Sequence, residues 1–323
     1  MSHHPMGFKI SPLLQEHICR IGSKLTFEDA AEELSLMLRI EVNAKQVERI
    51  CHCYGEKIDQ IDWNEAYSDG VQLNIPGTLS DPVYCMADGS MLLTREEKWK
   101  EIKLGRIFSG HSHVDEISKE RGAIMESVYS AHFGNSNDFW ERFAKEIPHK
   151  RKLVFICDGA KWLWRNVDDL YPESTQILDY FHCKEHICAF AKAFYNRNPG
   201  KQKKFIDEIM DDLSNKKVKE ALERLQQLKT KHKGKQKHKE KLLQYLRNNE
   251  KRIDYGKFIA DGLLIGSGPI EAAHRDVIQK RLKLSGQRWT MKGDQQIANL
   301  RTYLKSNRWD RVLTLITDNL QAA

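Results

Sequence analysis

The sequence predicts a mixed α/β fold: a sheet core preceded by a helical region and interrupted by a long helical insertion. Three observations predict it. "KLVFICDG" and "VYCMADG" are apolar runs that each break at an Asp-Gly pair, as buried strands do where they leave the core. Residues from Ser11 to about Lys57, and again from about 184 to 255, carry apolar side chains at helical spacing. The segment "GSGP", Gly266 to Pro269, then introduces one more helix by the proline-at-the-start rule.

The first helical stretch, "LTFEDAAEELSLMLRIEVNAKQVERICHCYG", reads as two amphipathic helices around a break at Ile40 to Asn43, a helix-turn-helix-like pair. Asn43 can cap the second helix, whose first turn would offer Lys45 and Gln46 to a DNA groove, although such pairs serve equally often as packing units. Residues 58–80, with Gly70, Pro76 and Gly77, read as a linker. Strands are expected at 83–88, 91–94, 100–108, 152–157 and 175–181, and helices near 116–131, 136–147 and 160–170. A last helix runs from Pro269 to about Lys283. The expected organisation is 1–60 helix-turn-helix-like, 61–81 linker, 82–183 first part of the core, 184–257 basic helical insertion, and 258–323 the rest of the core with a basic tail.

Net charge is +7, and its distribution is uneven. Residues 197–257 hold 19 Lys+Arg against 9 Asp+Glu, residues 272–311 hold 10 against 3, and the remainder is acidic, 23 against 33. A polyanion is the natural partner of such segments, nucleic acid foremost, with a solvated helical surface as the plainer explanation. The lysines from Lys229 to Lys241, two residues apart, spread charge around a helix or along a connector. Seven scattered cysteines without a CxxC pair argue against a disulfide framework or zinc ribbon. No apolar run approaches a membrane span, and the N-terminus lacks the apolar core of a signal peptide, so a cytoplasmic location without membrane contact is expected, which the resemblance given below narrows to the bacterial nucleoid.

Asp88 and Asp158 would end two strands, and Glu271 falls in the first turn of the helix after Pro269. If the three converge, their mutual repulsion calls for a divalent cation, and hard oxygen donors favour Mg²⁺, with Mn²⁺ as a substitute, over zinc. Two such ions suit phosphoryl transfer on nucleic acid. Each acid alone has an ordinary explanation: Asp-Gly is a common turn pair, and the helix dipole favours Glu in a first turn. The run "HCKEHIC" could suggest zinc through His182, Cys183, His186 and Cys188, but four ligands so close together do not readily close around one tetrahedral ion.

Taken in order, "MADGSM", "EEKWKEIKLGRIF", "ICDGAKWLW", "QILDYFHCKEHI", "IGSGPIEAAHRDVIQKRLKLSGQRWT" and "LRTYLKSNRWD" resemble the ISKra-type transposases of bacterial insertion sequences, relatives of the Mutator-like group. The resemblance implies an RNase H-like core with a DDE triad, carried over as Asp88, Asp158 and Glu271, and a helical insertion before the third acid. It implies cleavage of double-stranded DNA at terminal inverted repeats and attack of the freed 3′-hydroxyl on target DNA, by a homodimer or higher oligomer. Within it, "LDYFH" fits a D-x-x-H signature, making Asp179 and His182 supporting residues; a strand-end acid and a helix cap are the structural alternative. Arg288 and Trp289 match an Arg-Trp element, where the indole would stack on an unpaired base or pack in the core. Lys280, Arg281 and Lys283 would follow the DNA backbone. Family members extend further upstream with a Cys-rich element, so a shortened or separately encoded portion is expected. A nuclease without strand transfer, or a DNA-binding protein that keeps the acids as relics, are the competing functions.

Overall fold

The computed structural model describes residues 8–64, 77–110, 113–118, 121–124 and 126–321, so positions 65–76 of the expected linker lie outside the described residues. The fold is mixed α/β. The chain divides into two compact units, one of residues 1–151 and 270–323, the other of residues 152–269. Among the described residues no helix is long and apolar enough to cross a membrane.

The first unit opens with α1 (Pro12–Gly22), α2 (Phe27–Leu38) and α3 (Ala44–Asn64). Ser11 and Thr26 cap the first two by accepting from the N–H groups of Leu14 and Asp29. Arg39, in the left-handed region, ends α2. Asn43 and Gln46 then form a reciprocal capping box at the start of α3. These helices belong to the same unit as the C-terminal helices: α3 packs along α13 (Met291–Lys305), and α1 meets α14 (Trp309–Gln321). Gly55 permits the α3–α13 approach, since a Cβ there would stand 2.2 Å from the Gln296 carbonyl oxygen. Buried Arg142 ties the same region together, reaching Asp59 at 2.5 Å and Asp62 at 2.7 Å.

The sheet of this unit has the order β5-β2-β1, all antiparallel, from β1 (Pro82–Thr94), β2 (Lys98–Ser109) and β5 (Val128–Phe133). β3 (His113–Ser118) and β4 (Arg121–Ile124) form a separate hairpin, and α4 (Ser136–Lys145) covers β2 and β5. Two expectations are corrected here. The strands expected at 83–88 and 91–94 are one strand, because β2 pairs continuously from Val83↔Ser109 to Thr94↔Lys98 and carries Gly89 and Ser90 along. The helix expected near 116–131 is instead β3, β4 and the start of β5, since β3 and β4 pair as a hairpin and β5 pairs with β2 from Ile102↔Phe133 to Ile107↔Val128, which overrides the local helical pattern.

The second unit begins with β6 (Lys152–Cys157), which pairs in parallel with β7 (Thr175–Leu178) across the helix α5 (Lys161–Leu170). Val154, Phe155, Ile156 and Cys157 are all buried, as the apolar run requires. Then follow α6 (Tyr180–Tyr195), α7 (Pro199–Ser214), α8 (Val218–Gln227), α9 (Lys233–Asn248) and α10 (Tyr255–Ala260). The expected strand 175–181 stops at Leu178 because Asp179 caps α6 and turns Tyr180 and Phe181 into its first residues. The helix α11 (Gly268–Ala273) leads into a π-helical stretch, His274–Gln279, and a final turn, α12 (Lys280–Leu282).

Candidate active-site residues and basic surfaces

In the first unit, β1 is buried on both faces from Val83 to Ala87 and opens at Asp88, whose side chain is 41% exposed. Asp88 therefore lies mid-strand, opposite Leu104 of β2, rather than at a strand end. Its Oδ1 accepts from the Gly89 N–H at 2.7 Å. Gly89 has no Cβ where the Glu101 carboxylate lies, 2.2 Å from the position a Cβ would take, so a second acid from β2 crosses the strand beside Asp88. Glu101 in turn pairs with the buried Lys103 at 2.7 Å.

Glu271 is exposed on α11, and His274 follows it by three residues, hence on the same side of the helix. His274 Nε2 lies 4.0 Å from Asp88 Oδ2. The chain thus brings the segment bearing Glu271 against the strand bearing Asp88. At that distance the contact would count as an ion pair if the imidazole were charged. Burial instead pushes its pKa down to about 4, with Lys283 adding to the effect and the Asp88 main chain and Glu101 opposing it. His274 is a neutral spacer. It also starts the π-helical stretch, a feature that recurs at functional sites.

In the second unit, Asp158 follows the fully buried end of β6. Its Oδ1 accepts from the Ala160 N–H at 2.9 Å, and its main-chain carbonyl accepts from Trp164 Nε1 at 2.7 Å, so the turn into α5 is held from both sides. Asp179 is buried: one oxygen accepts from the His182 N–H at 2.5 Å, capping α6, and the other accepts from the Ser267 N–H. This fastens the Gly-Ser-Gly segment to the cap. His182 reaches the Asp158 turn, its Nε2 standing 3.7 Å from where a Gly159 Cβ would be. The helical insertion contributes Tyr245 to the same place, 3.1 Å from that position, with its ring stacked on His186. Glu101, His274 and Tyr245 were not singled out from sequence, and His186 only within the four-residue zinc set. Only pairing and packing bring them beside the acids.

Asp88, Asp158 and Glu271 each offer hard carboxylate oxygens, the donor chemistry that suits Mg²⁺ or Mn²⁺. Among the described residues, no three His, Cys, Asp or Glu side chains gather closely enough to hold a metal ion. The four-ligand zinc set is likewise not formed: Cys183 is buried and its thiol pushed up to about 12 by desolvation.

The residues expected on DNA divide into two groups. Lys45 is 84% exposed and pairs only with Glu48 on its own helix, while Gln46 spends its amide oxygen on the α3 cap. Lys280, Lys283 and Arg288 are exposed. Arg281 and Trp289 are not: Arg281 is fully buried, donates Nε to the Gly22 carbonyl at 3.1 Å, and lies over the Phe27 and Trp289 rings at 4.7 and 4.8 Å. Main-chain bonds from Trp289 to Leu93 and Arg95 extend β1, which turns the indole inward. Arg281 is thereby corrected from a DNA-backbone contact to core, and Trp289 takes the core position of its two expected alternatives. A groove of about 680 Å³ in the first unit is lined by Lys45, Arg49, His52, Lys57 and Lys292 among others. In the second, a cleft of about 1330 Å³ is lined by Lys216, Lys219, Arg247, Lys251, Arg252 and Lys257 and also by Asp168, Glu220, Glu250 and Asp254.

No family model and no curated protein matches the chain. Among solved structures it is similar to the Drosophila P element transposase strand transfer complex, with 9% identity, a TM-score of 0.39, and coverage of 95% of this chain and 94% of that one. At that score the likeness carries neither fold nor function.

Proposed function

We propose that the chain is a DNA transposase of the DDE type, cutting phosphodiester bonds at the ends of an insertion sequence and joining the 3′-hydroxyl to target DNA. The observation that carries this reading is the 4.0 Å approach of His274 to Asp88, which sets the segment with Glu271 against a half-exposed acid on a buried strand. Asp158, which follows β6 and has His182 near its turn, is the third carboxylate of this reading. Asp88, Asp158 and Glu271 would hold Mg²⁺, which when bound lowers the cost of charge on the attacking and leaving oxygens. His274 lies beside Asp88 without adding a positive charge. Asp179 holds the Ser267 main chain and so fixes the loop that leads to Glu271. Exposed Lys45, Lys280, Lys283, Arg288 and the lysines of α9 bind double-stranded DNA through phosphates, and two ends in one complex imply a homo-oligomer.

A second reading is a DNA-binding protein derived from a transposase, with or without residual nuclease activity. It is favoured by one observation, that Lys45, Lys283 and Arg288 are exposed and can meet phosphates without any metal. Incubation with DNA carrying the terminal repeats of the element, with Mg²⁺ or Mn²⁺, separates the two. Nicked and joined products that vanish in Asp88→Asn, Asp158→Asn and Glu271→Gln, with DNA binding retained, support the enzyme. Tight binding with no product from the parent chain supports the second reading.

A further inference from the structure

On α6, His182 and His186 lie one turn apart, and their Nε2 atoms face each other at 3.3 Å. In a tetrahedral metal site, two bonds of about 2.05 Å place neighbouring nitrogens about 3.3 Å apart. The pair already has the edge length of such a site. We propose that His182 and His186 form a two-histidine chelate for a borderline divalent transition cation such as Zn²⁺, Co²⁺ or Ni²⁺, with water or a substrate oxygen completing the shell. The site lies wholly in the second unit and does not depend on the transposase reading.

Glu185 Oε2 stands 3.8 Å from His182 Nδ1, beyond hydrogen-bond reach, and its negative charge favours a proton on Nδ1 over one on Nε2. His186 is held by the Tyr245 ring, stacked at 4.1 Å between centroids and 23° between planes. The His182 side chain is 34% exposed, which leaves a path for an ion and for ligand water. Without metal the same spacing accommodates one N–H···N hydrogen bond, so the cation displaces a shared proton. Imidazole nitrogens prefer Zn²⁺, Co²⁺ and Ni²⁺ to Mg²⁺, and the pair is therefore chemically distinct from the carboxylates. Cys183, though adjacent in sequence, is buried away from solvent and takes no part.

The test uses the full chain, stripped of metal and kept in excess Mg²⁺, titrated with Co²⁺ by visible absorption and with Zn²⁺ by calorimetry. One equivalent should bind with a dissociation constant below about 0.1 mM. His182→Gln and His186→Gln should each weaken that equivalent at least tenfold, with helix content unchanged by circular dichroism. Imidazole nitrogen spectra of the parent give a readout independent of variant folding: Zn²⁺ should move the Nε2 resonances of two histidines and leave their Nδ1 resonances as N–H. An equivalent that persists undiminished in the double variant, no equivalent in this range, or Zn²⁺ that leaves the His182 and His186 resonances in place would overturn the proposal.

Discussion

His274 Nε2 stands 4.0 Å from Asp88 Oδ2, and the imidazole that makes this approach is buried and neutral. The relationship joins residues that are far apart in sequence and fixes a helical segment to a strand without an ion pair. A charged histidine would neutralise the carboxylate and compete with any cation, whereas a neutral one only spaces it. The exposed Glu271, one helical turn before His274, is carried to the same side.

Asp294 sets a pH dependence. It is fully buried, neither carboxylate oxygen finds a hydrogen bond, and burial, with Glu96 adding to it, pushes its pKa up to about 8. Between its ordinary value of 3.8 and about 8, the unfolded chain loses this proton while the folded chain keeps it. The folded state then binds more protons, so this group's contribution falls as pH rises through that window. Asp294→Asn removes the dependence. Urea midpoints should show the variant gaining on the parent between pH 4 and 7.5, by up to about 5 kcal/mol. Parallel profiles would mean that water already solvates the carboxylate.

Arg281 and its neighbours should separate stability from DNA affinity. Arg281→Ala removes two cation–π contacts and a main-chain hydrogen bond inside the core, and should cost about 3 kcal/mol or more. The salt dependence of DNA binding by the folded variant should match the parent. Lys283→Ala and Arg288→Ala, both at exposed positions, should leave stability within about 0.5 kcal/mol. Each should reduce the slope of log affinity against log salt by about 0.9. If Arg281→Ala is the one that lowers the slope, the buried guanidinium emerges on DNA.

How far the sequence could be read depended on whether an element answers to local or distant partners. β6 was legible because four consecutive apolar side chains demand burial on both faces. So was the α3 cap, which Asn43 and Gln46 make between themselves. β1 was broken too early because Asp88-Gly89 resembles a turn, and only the pairing with β2 carries the strand through it. The segment 116–131 has helical composition, and the strand pairing that overrides it is a hairpin between β3 and β4 together with the pairing of β5 on the distant β2. Lys283 and Arg288 could be recognised as surface cations, but Arg281 sits among them in sequence, and its inward turn depends on Phe27 and Trp289. His186 was visible only as part of an implausible four-ligand set. Its stacking partner, Tyr245, comes from a helix of the insertion that no spacing rule could have aligned with it.

Asp179 should prove structural first and functional through structure. Asp179→Ala loses the α6 cap and leaves the Ser267 N–H without its acceptor, a cost of roughly 1–3 kcal/mol. Asp179→Asn keeps one acceptor oxygen but turns an amide N–H₂ toward the other donor, so it should recover only part of that loss. Chemical denaturation gives the stability order parent, Asn, Ala. Under the transposase reading, cleavage should fall in the same order with the apparent Mg²⁺ requirement unchanged. A raised Mg²⁺ requirement would instead make Asp179 a direct ligand.

The lysine tract is mostly helix, and its members are not equivalent. Lys233 to Lys241 lie in α9, where Lys239 is turned back onto the carbonyls of Gln226 and Leu228 at 2.8 and 2.9 Å, and Lys235 covers the Phe194 ring at 5.5 Å. Lys229, Lys231, Lys233, Lys237 and Lys241 are exposed. If the tract binds phosphates, the exposed lysines carry the effect, because a cation already engaged with main-chain oxygens releases fewer counterions. Neutralising those five together should lower the slope of log affinity against log salt by up to about 4.5, while Lys239→Gln alone should leave it nearly unchanged and instead loosen the α8–α9 connection. Fluorescence anisotropy on one duplex at four salt concentrations measures both. An unaltered slope in the fivefold variant would make the tract a solvated surface, and the cleft lined by Lys216, Lys219, Arg247 and Lys251 would become the place to look for the polyanion.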